Sequence, residues 1–592
     1  MSIFQKTVRK SIGFSTFDLS RTRLMGANFG ELLPCFIQEV LPNDRFTVRG
    51  AANIQFAPMI APMMHHVKVS FHYFYVPDRI LYKDFETAFT GSRDGRSLPE
   101  DEVPELPHFT PNEEADQNGS WYRAMLPGTL LDYLDYPVDE TADPTDIADT
   151  RFYGSDEWIS DFPIRAYFRI WYDWYRDENL QYKNFGINDD LYPDYYTAWD
   201  EWYENPSGNI DRIFYCLGDK GSRLIKYRSY KKDYFTAALP SPQKGEPVIL
   251  SLGESAPVSG TLNGISGQLT SSSGLRAVWN DSVQVGENLI TGDLVGTVSH
   301  DSLISEFANN RTLLGFSGTL AANVPEGKLT ADLTAATAVT INELRTAFAI
   351  QSILEAINLC GSRYNEYLLG LYGTAPSDLR LFRPQFLGGW STPVGVQQVL
   401  QSGMPYQNET SQFNQVGYAA GRAFAAGQDR IFSQEFKEPG YIIGIMSVMP
   451  KAGYSQGLPK HLTRKTRWDY YNPKLAYLGE QAILNKEIYF AGTPSRDNGT
   501  FGFMQRFAEY RTAYNTIHGD FRGSLNYYHM YRQFDTTPTL SEDFILASSV
   551  DARPFAFWQE NSNVNQLIWC EIIHDVKASR PMPYNPMPEL RG

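Results

Sequence analysis

The segment HLTRKTRWDYYNP (461–473) sets Arg464, Lys465 and Arg467 beside Trp468, Tyr470 and Tyr471. Guanidinium and ammonium groups neutralise phosphates, and aromatic faces stack on bases, so this text can meet single-stranded nucleic acid. Arg and Tyr are also enriched where protein subunits touch, which leaves an intersubunit loop as the alternative. Lys6, Arg9 and Lys10 form a second cationic group, within a basic arm over 1–24 that carries Asp18 as its one acid. These two groups supply the candidate DNA-facing residues: Lys6, Arg9, Lys10, Arg464, Lys465, Arg467, Trp468 and Tyr471.

Catalytic text is missing. No GxxxxGK[ST], GxSxG or HExxH motif occurs, so no phosphate cradle, nucleophile elbow or zinc-protease helix is encoded. His65-His66 is the one adjacent histidine pair. Neighbouring residues on an extended chain point to opposite sides, which is poor geometry for a shared metal. Cys35, Cys216, Cys360 and Cys570 form no CxxC, so reduced, buried thiols are expected and neither a metal nor a cofactor. Carboxylates are plentiful without any pair standing out. The competing class is therefore a carbohydrate-binding or glycoside-hydrolysing β-sandwich, and a non-enzyme is the expected reading.

The 592 residues carry a net charge of −16. A chain wrapped closely around nucleic acid is usually basic, so any DNA contact here is local or delegated to another molecule. The 36 Tyr, 36 Phe and 11 Trp suit extensive contact between subunits, with a large core carrying many loops as the alternative. No apolar signal segment and no 18-residue apolar run is present, so a soluble protein made in a cytoplasm is expected.

The elements that must position these residues are mostly strands. ELLPCFIQEVLP (31–42) and DRFTVRG (44–50) flank a Pro42-Asn43 turn, and VKVSFHYFYVP (67–77) alternates as a strand with one buried face. Residues 92–160 read as a long acidic loop. In PIRAYFRIWYDWYRDENLQY (163–182), Ile164, Tyr167, Phe168, Trp171, Trp174 and Tyr175 recur at helical spacing. Residues 246–339 turn Ser, Thr, Gly and Ala rich and suggest an insertion of small strands. A capping box at Thr340 and Glu343 opens a helix over 341–359, with Leu344, Phe348, Ile350, Leu354 and Ile357 as its expected buried side and Gly361 as its stop. GYIIGIMSVMP (440–450) and the start of LIWCEIIHDVKASRPMP (567–583) read as further strands. Short strands at both ends with long inserts between them predict a mainly β fold: a single eight-stranded antiparallel jelly-roll barrel with long inserted loops and a few helices.

Ordered stretches of this text resemble the major capsid proteins of gokushoviruses, in the family Microviridae. They include FDLSRTRLM…GELLPCFIQEVLPNDRFTV (17–48), VKVSFHYFYVPDRILYKDFETAFTG (67–91), FPIRAYFRIWYDWYRDENLQ (162–181) and KKDYFTAALPSPQKG (231–245). TINELRTAFAIQSILEAINLCGSRYNEYL (340–368), YSQGLPKHLTRKTRWDYYNPKLAYLGEQAILNKEIY (454–489) and RPMPYNPMPEL (580–590) follow in the same order. Ser241 stands where that family has Trp, and Pro439 where it has His. The resemblance implies a virion protein assembled in a bacterial cytoplasm, with about 60 copies closing a T=1 icosahedral shell around circular single-stranded DNA. It implies as partners a small basic DNA-binding viral protein, a minor spike or pilot protein, and the host cell surface. It places 25–592 in the capsid domain, with 246–339 as a protrusion at each threefold axis that meets the host.

Overall fold

A computed structural model describes residues 13–93, 96–99, 102–109, 125–139, 157–181, 224–245, 341–360, 382–400, 419–550, 552–555 and 566–584, with a few isolated positions and short strands elsewhere. The chain divides into two compact units, 1–244 with 355–592, and 245–354.

In the larger unit the principal strands are β1 (Ser15–Asp18), β2 (Arg21–Ala27), β3 (Leu33–Val40), β4 (Arg45–Phe56), β5 (Val67–Pro77), β6 (Gln385–Pro393), β7 (Gly395–Leu400), β8 (Ala419–Glu435), β9 (Gly440–Pro450), β10 (Glu480–Leu484), β11 (Thr500–Gln505) and β12 (Ile568–Arg580). They form antiparallel sheets. One has the order β1–β12–β4–β8–β7, with β2 also paired to β12. The second has the order β6–β5–β9–β3. β10 and β11 pair separately. The fold is mainly β, and the two large sheets remain separate ladders: among the described residues no closed barrel forms. Residues 15–24, read as arm, lie in β1 and β2. There Arg21 donates to the Ile37 carbonyl and Arg23 pairs with Asp135.

Alternation builds the core. Along β4 the inward residues Phe46, Val48, Ile54 and Phe56 are buried, and Arg45, Arg49 and Asn53 between them are exposed. From the other sheet, Val69, Phe71 and Tyr73 of β5 are equally buried, and the Tyr73 hydroxyl meets His574 Nε2 of β12 at 2.8 Å. Fully burying each large apolar side chain stabilises the fold by roughly 1.5–3 kcal/mol. Trp390 of β6 stacks on Phe71. Gly427 admits that ring, because a Cβ there would stand 2.6 Å from Trp390 Cζ3.

β5 was expected to bury one face and buries both: Ser70 and Phe74 on its second side are also buried. A helix, α1 (Phe162–Ile170), continues as a π-helical turn over Trp171–Tyr175 and covers that side. Phe74 packs against Trp174, and His72 Nδ1 meets the Tyr175 hydroxyl at 2.8 Å. Ile164, Tyr167, Phe168 and Trp171 of the helical stripe are fully enclosed. At its start, Asp161 and Arg165 form a buried ion pair at 2.7 Å.

Burial raises Asp78, at the end of β5, to a pKa of about 7, and the nearby Glu39 charge adds to this. The unfolded chain ionises this group near its ordinary 3.8, so the folded state is penalised as pH rises through 7. Asp78→Asn should therefore raise unfolding stability by about 2–4 kcal/mol at pH 8.5 relative to the native chain and leave it unchanged at pH 3.5. Urea unfolding at the two pH values checks this; an equal effect at both would contradict it.

The smaller unit contains short ladders, Val258–Ser259 with Thr330–Ala331, and Gln268–Thr270 with Arg276–Val278 and Ala321–Ala322. A second helix, α2, spans Ile341–Cys360. Its apolar side was expected to be buried, yet Phe348 and Ile350 are exposed and Leu344, Leu354 and Ile357 are only half-buried. Its apolar residues are spread around the helix among Arg345, Gln351, Glu355 and other polar positions, so no single packed stripe forms. Thr340 and Gly361, the expected cap and stop, lie outside the described residues. No helix among the described residues is long and apolar enough to cross a membrane.

Candidate assembly and nucleic-acid surface

A second aromatic core, Tyr234, Phe235, Tyr454, Ile483, Ile488, Phe501 and Phe544, anchors the segment that carries the candidate residues. Tyr454 donates to Asp233 at 3.0 Å, and Tyr234 donates to the buried Glu487, which also pairs with Lys460 at 2.8 Å. These contacts fix the root of a long loop. Its outer portion is built from single 3-10 turns at Lys460–Leu462, Arg467–Asp469 and Leu475–Tyr477. Thr466 and Asp469 cap the middle turn reciprocally, and the Asp469 carboxylate accepts from the Lys465 and Thr466 amides. Those hydrogen bonds hold Asp469 below the usual carboxylate range.

The turns present large side chains to solvent. Leu462, Trp468, Tyr470, Tyr471, Tyr477, Leu478, Phe490 and Tyr510 are all at least half exposed, and Tyr477 reaches 90 %. Isolated exposed apolar residues are ordinary, but a concentration of aromatic surface on one segment marks an interaction site.

The candidate cations divide in two. Arg464 is mostly buried, lies over Tyr470 and Tyr510 at 5.2 and 4.6 Å, and pairs with Glu509 at 3.8 Å. That guanidinium is engaged within the chain. Lys465, Arg467, Trp468 and Tyr471 are exposed together, with Arg467 stacked 4.4 Å from Trp468. Tyr471 also packs edge-on against Phe507. Lys6, Arg9 and Lys10 lie outside the described residues.

His65 and His66 face opposite ways: His65 is buried against Tyr531, and His66 is exposed. Burial, with His529 and His66 adding, lowers His65 to about 3, so it is neutral at physiological pH. Among the described residues no three metal-ligating side chains converge. Cys35 and Cys570 are buried and free, and desolvation pushes both thiols up to about 12.

Sequence reasoning missed a second basic surface. Arg45 and Arg49 on β4, and Arg422 and Arg430 on β8, all project from the outward side of the first sheet. Alternation in RFTVRGAANIQF signals the β4 pair. The pairing with β8, nearly 400 residues away, has no local signal.

A family model described as "Capsid protein (F protein)" matches residues 6–590. Capsid protein VP1 of Bdellovibrio phage phiMH2K is 31 % identical over 525 residues, covering 87 % of this chain and 85 % of the relative. Capsid protein VP1 of Chlamydia phage 1 is 28 % identical over 622 aligned positions, covering 99 % and 97 %. Capsid protein VP1 of Spiroplasma virus 4 is 29 % identical over 583 residues, covering 98 % and 95 %.

Proposed function

This chain belongs to the phage capsid protein (F protein) family, and from that premise we propose that it is the major capsid protein of a small virion, closing a T=1 shell of about 60 copies around circular single-stranded DNA. The observation that carries the self-assembly reading is the set of large side chains between 462 and 510 that stand at least half exposed, Tyr477 and Leu478 foremost. An isolated subunit gains nothing from Tyr477 in water, whereas a neighbouring copy that buries it gains apolar area and ring contacts. Obligate contacts run to roughly 2,000–5,000 Å², an area that long loops rooted on a rigid framework can supply.

The strand order supports a single jelly roll. Most successive strands cross between the sheets, giving β2, β12, β4 and β8 on one side and β3, β9, β5 and β6 on the other. With β1 and β7 as additions to the first sheet, these eight strands lie four to a side, the double-sheet solution to exposed edges. Lys6, Arg9, Lys10, Lys465, Arg467, Trp468 and Tyr471 remain the proposed DNA-facing set. Arg464, engaged with Glu509 and Tyr510, holds the loop that presents them. The overall acidity of the chain favours sharing charge neutralisation with a small basic viral protein, alongside a minor spike or pilot protein.

Residues 246–339 are the proposed protrusion that meets the host surface. Their distinct composition and the compact unit over 245–354 support this. Replacing them by a short Gly/Ser link should still give shells and should abolish host adsorption, read as particles bound per cell; loss of folding would show that the block belongs to the core. The test of the whole reading is sedimentation of the purified chain with nuclease protection. It should give a uniform particle with enclosed DNA that is digested by single-strand nuclease only after disruption. A chain that stays monomeric under all assembly conditions would defeat it.

A further inference from the structure

On the outward side of the first sheet, Arg49 of β4 stands directly opposite Arg430 of β8. Both are exposed, and neither has an ion-pair or hydrogen-bond partner for its side chain among the described residues. Asp575 of β12 is the other cross-strand neighbour of Arg49, and its carboxylate accepts from the Ser20 hydroxyl at 3.4 Å. Arg45, one turn of the pleat beyond Thr47, is already paired with Glu435. Like charges directly opposite on neighbouring strands repel, so this arrangement is stable only by virtue of its surroundings. A bridging anion relieves the repulsion.

Six residues along the strands lies a second row, in which Gln55 is flanked by Trp569 and Phe424, both about 40 % exposed. At the rise of a strand the two rows are roughly 20 Å apart. Between them Ala51 and Asn53 of β4 face Gln428 and Ala426 of β8 on one side and Ile573 and Glu571 of β12 on the other, with Asn53 Nδ2 3.5 Å from the Glu571 carboxylate. The result is a rigid face with paired cations at one end, aromatic faces at the other and, between them, mostly uncharged residues with Glu571 as the one carboxylate. A polyanion with a stackable π-face fits it.

We infer that the outward face of this sheet is a binding track for single-stranded DNA, in which Arg49 and Arg430 hold backbone phosphate and Trp569 and Phe424 stack on bases. The inference rests on the DNA-enclosing reading above and adds the surface that performs it. A second copy of the chain is the less suitable occupant, because it would have to bury two adjacent guanidinium groups and supply carboxylates to both.

The test uses the dissociated full chain and fluorescently labelled oligo-dT, with affinity followed by anisotropy over a salt series. Arg49→Gln with Arg430→Gln should weaken binding at least about tenfold near 0.1 M salt. It should also make the slope of log affinity against log salt shallower by about 1.4, the value for two lost phosphate contacts on a single strand. Arg49→Lys with Arg430→Lys should retain most of the slope, and ultraviolet cross-linking should place DNA on Trp569 or Phe424. If the native chain binds with a clear salt slope and the glutamine pair binds identically, the track is overturned while the DNA-enclosing reading survives. If neither chain binds and native particles contain no DNA, that reading fails and the track with it. If the glutamine pair stops shell formation but keeps the native slope, the face is a contact between copies and the inference is wrong.

Discussion

Replacing Tyr477 and Leu478 together by serine is expected to abolish shell formation and leave the fold of the single chain intact. Tyr477 is 90 % exposed and Leu478 61 % exposed, so neither contributes appreciable packing to the subunit. Their removal therefore costs the monomer little. In the proposed shell each would lie at a repeated contact, where truncating a central aromatic or aliphatic anchor typically costs about 2 kcal/mol or more. Two anchors amount to about 4 kcal/mol per contact, close to three decades in subunit affinity. The critical concentration for assembly should rise accordingly, while circular dichroism and the urea midpoint of the unassembled chain stay native. Shells at the native concentration would show that this segment is not an assembly contact. A lowered urea midpoint would show that the residues serve the fold instead.

The second large effect lies in the subunit. Arg165→Met is expected to lower the unfolding free energy by about 3–5 kcal/mol, the usual consequence of removing one member of a buried ion pair. Arg165 Nε donates to Asp161 Oδ2 at 2.7 Å and its Nη1 donates to the Leu81 carbonyl at 3.3 Å, with both charged side chains almost fully enclosed. The methionine fills similar volume but leaves a carboxylate buried without its cation. Adding Asp161→Asn should restore at least half of the loss, because the stranded charge is then gone. Urea unfolding of the native, single and double variants gives the comparison. A single variant within 1 kcal/mol of native would contradict the account.

The strands that encode a strict pattern were legible in the sequence. Val67–Pro77 and Gly440–Pro450 form over the residues their alternation and β-branched text predict. The helix from Phe162 was legible in part: it ends at Tyr175 and not at 182, and of its stripe Ile164, Tyr167, Phe168 and Trp171 are buried while Trp174 and Tyr175 are half-buried. What failed depended on partners distant in the chain. Lys68, Ser70 and His72 read as the polar face of β5, and only the π-helical turn after α1, about 100 residues later, covers that side. The helix Ile341–Cys360 was found, but its apolar residues gave no single stripe and its expected buried side is largely open.

The candidate site divides in the same manner. Lys465, Arg467 and Trp468 could be picked out because they are contiguous. The internal engagement of Arg464 with Glu509 and Tyr510 could not, since those partners come from a separate turn about 45 residues on. Arg49 and Arg430 meet only because β4 and β8 pair, with a register shift just beyond Arg430. Sequence alternation gives the face of a strand but not its neighbour, and a one-residue change of register would put an arginine on the other side.

Reconstruction of particles assembled from the purified chain by electron cryo-microscopy tests self-recognition most directly. The account predicts a closed shell in which Tyr477, Leu478 and their aromatic neighbours are buried against an adjacent copy. A closed shell that leaves those side chains facing water would contradict it.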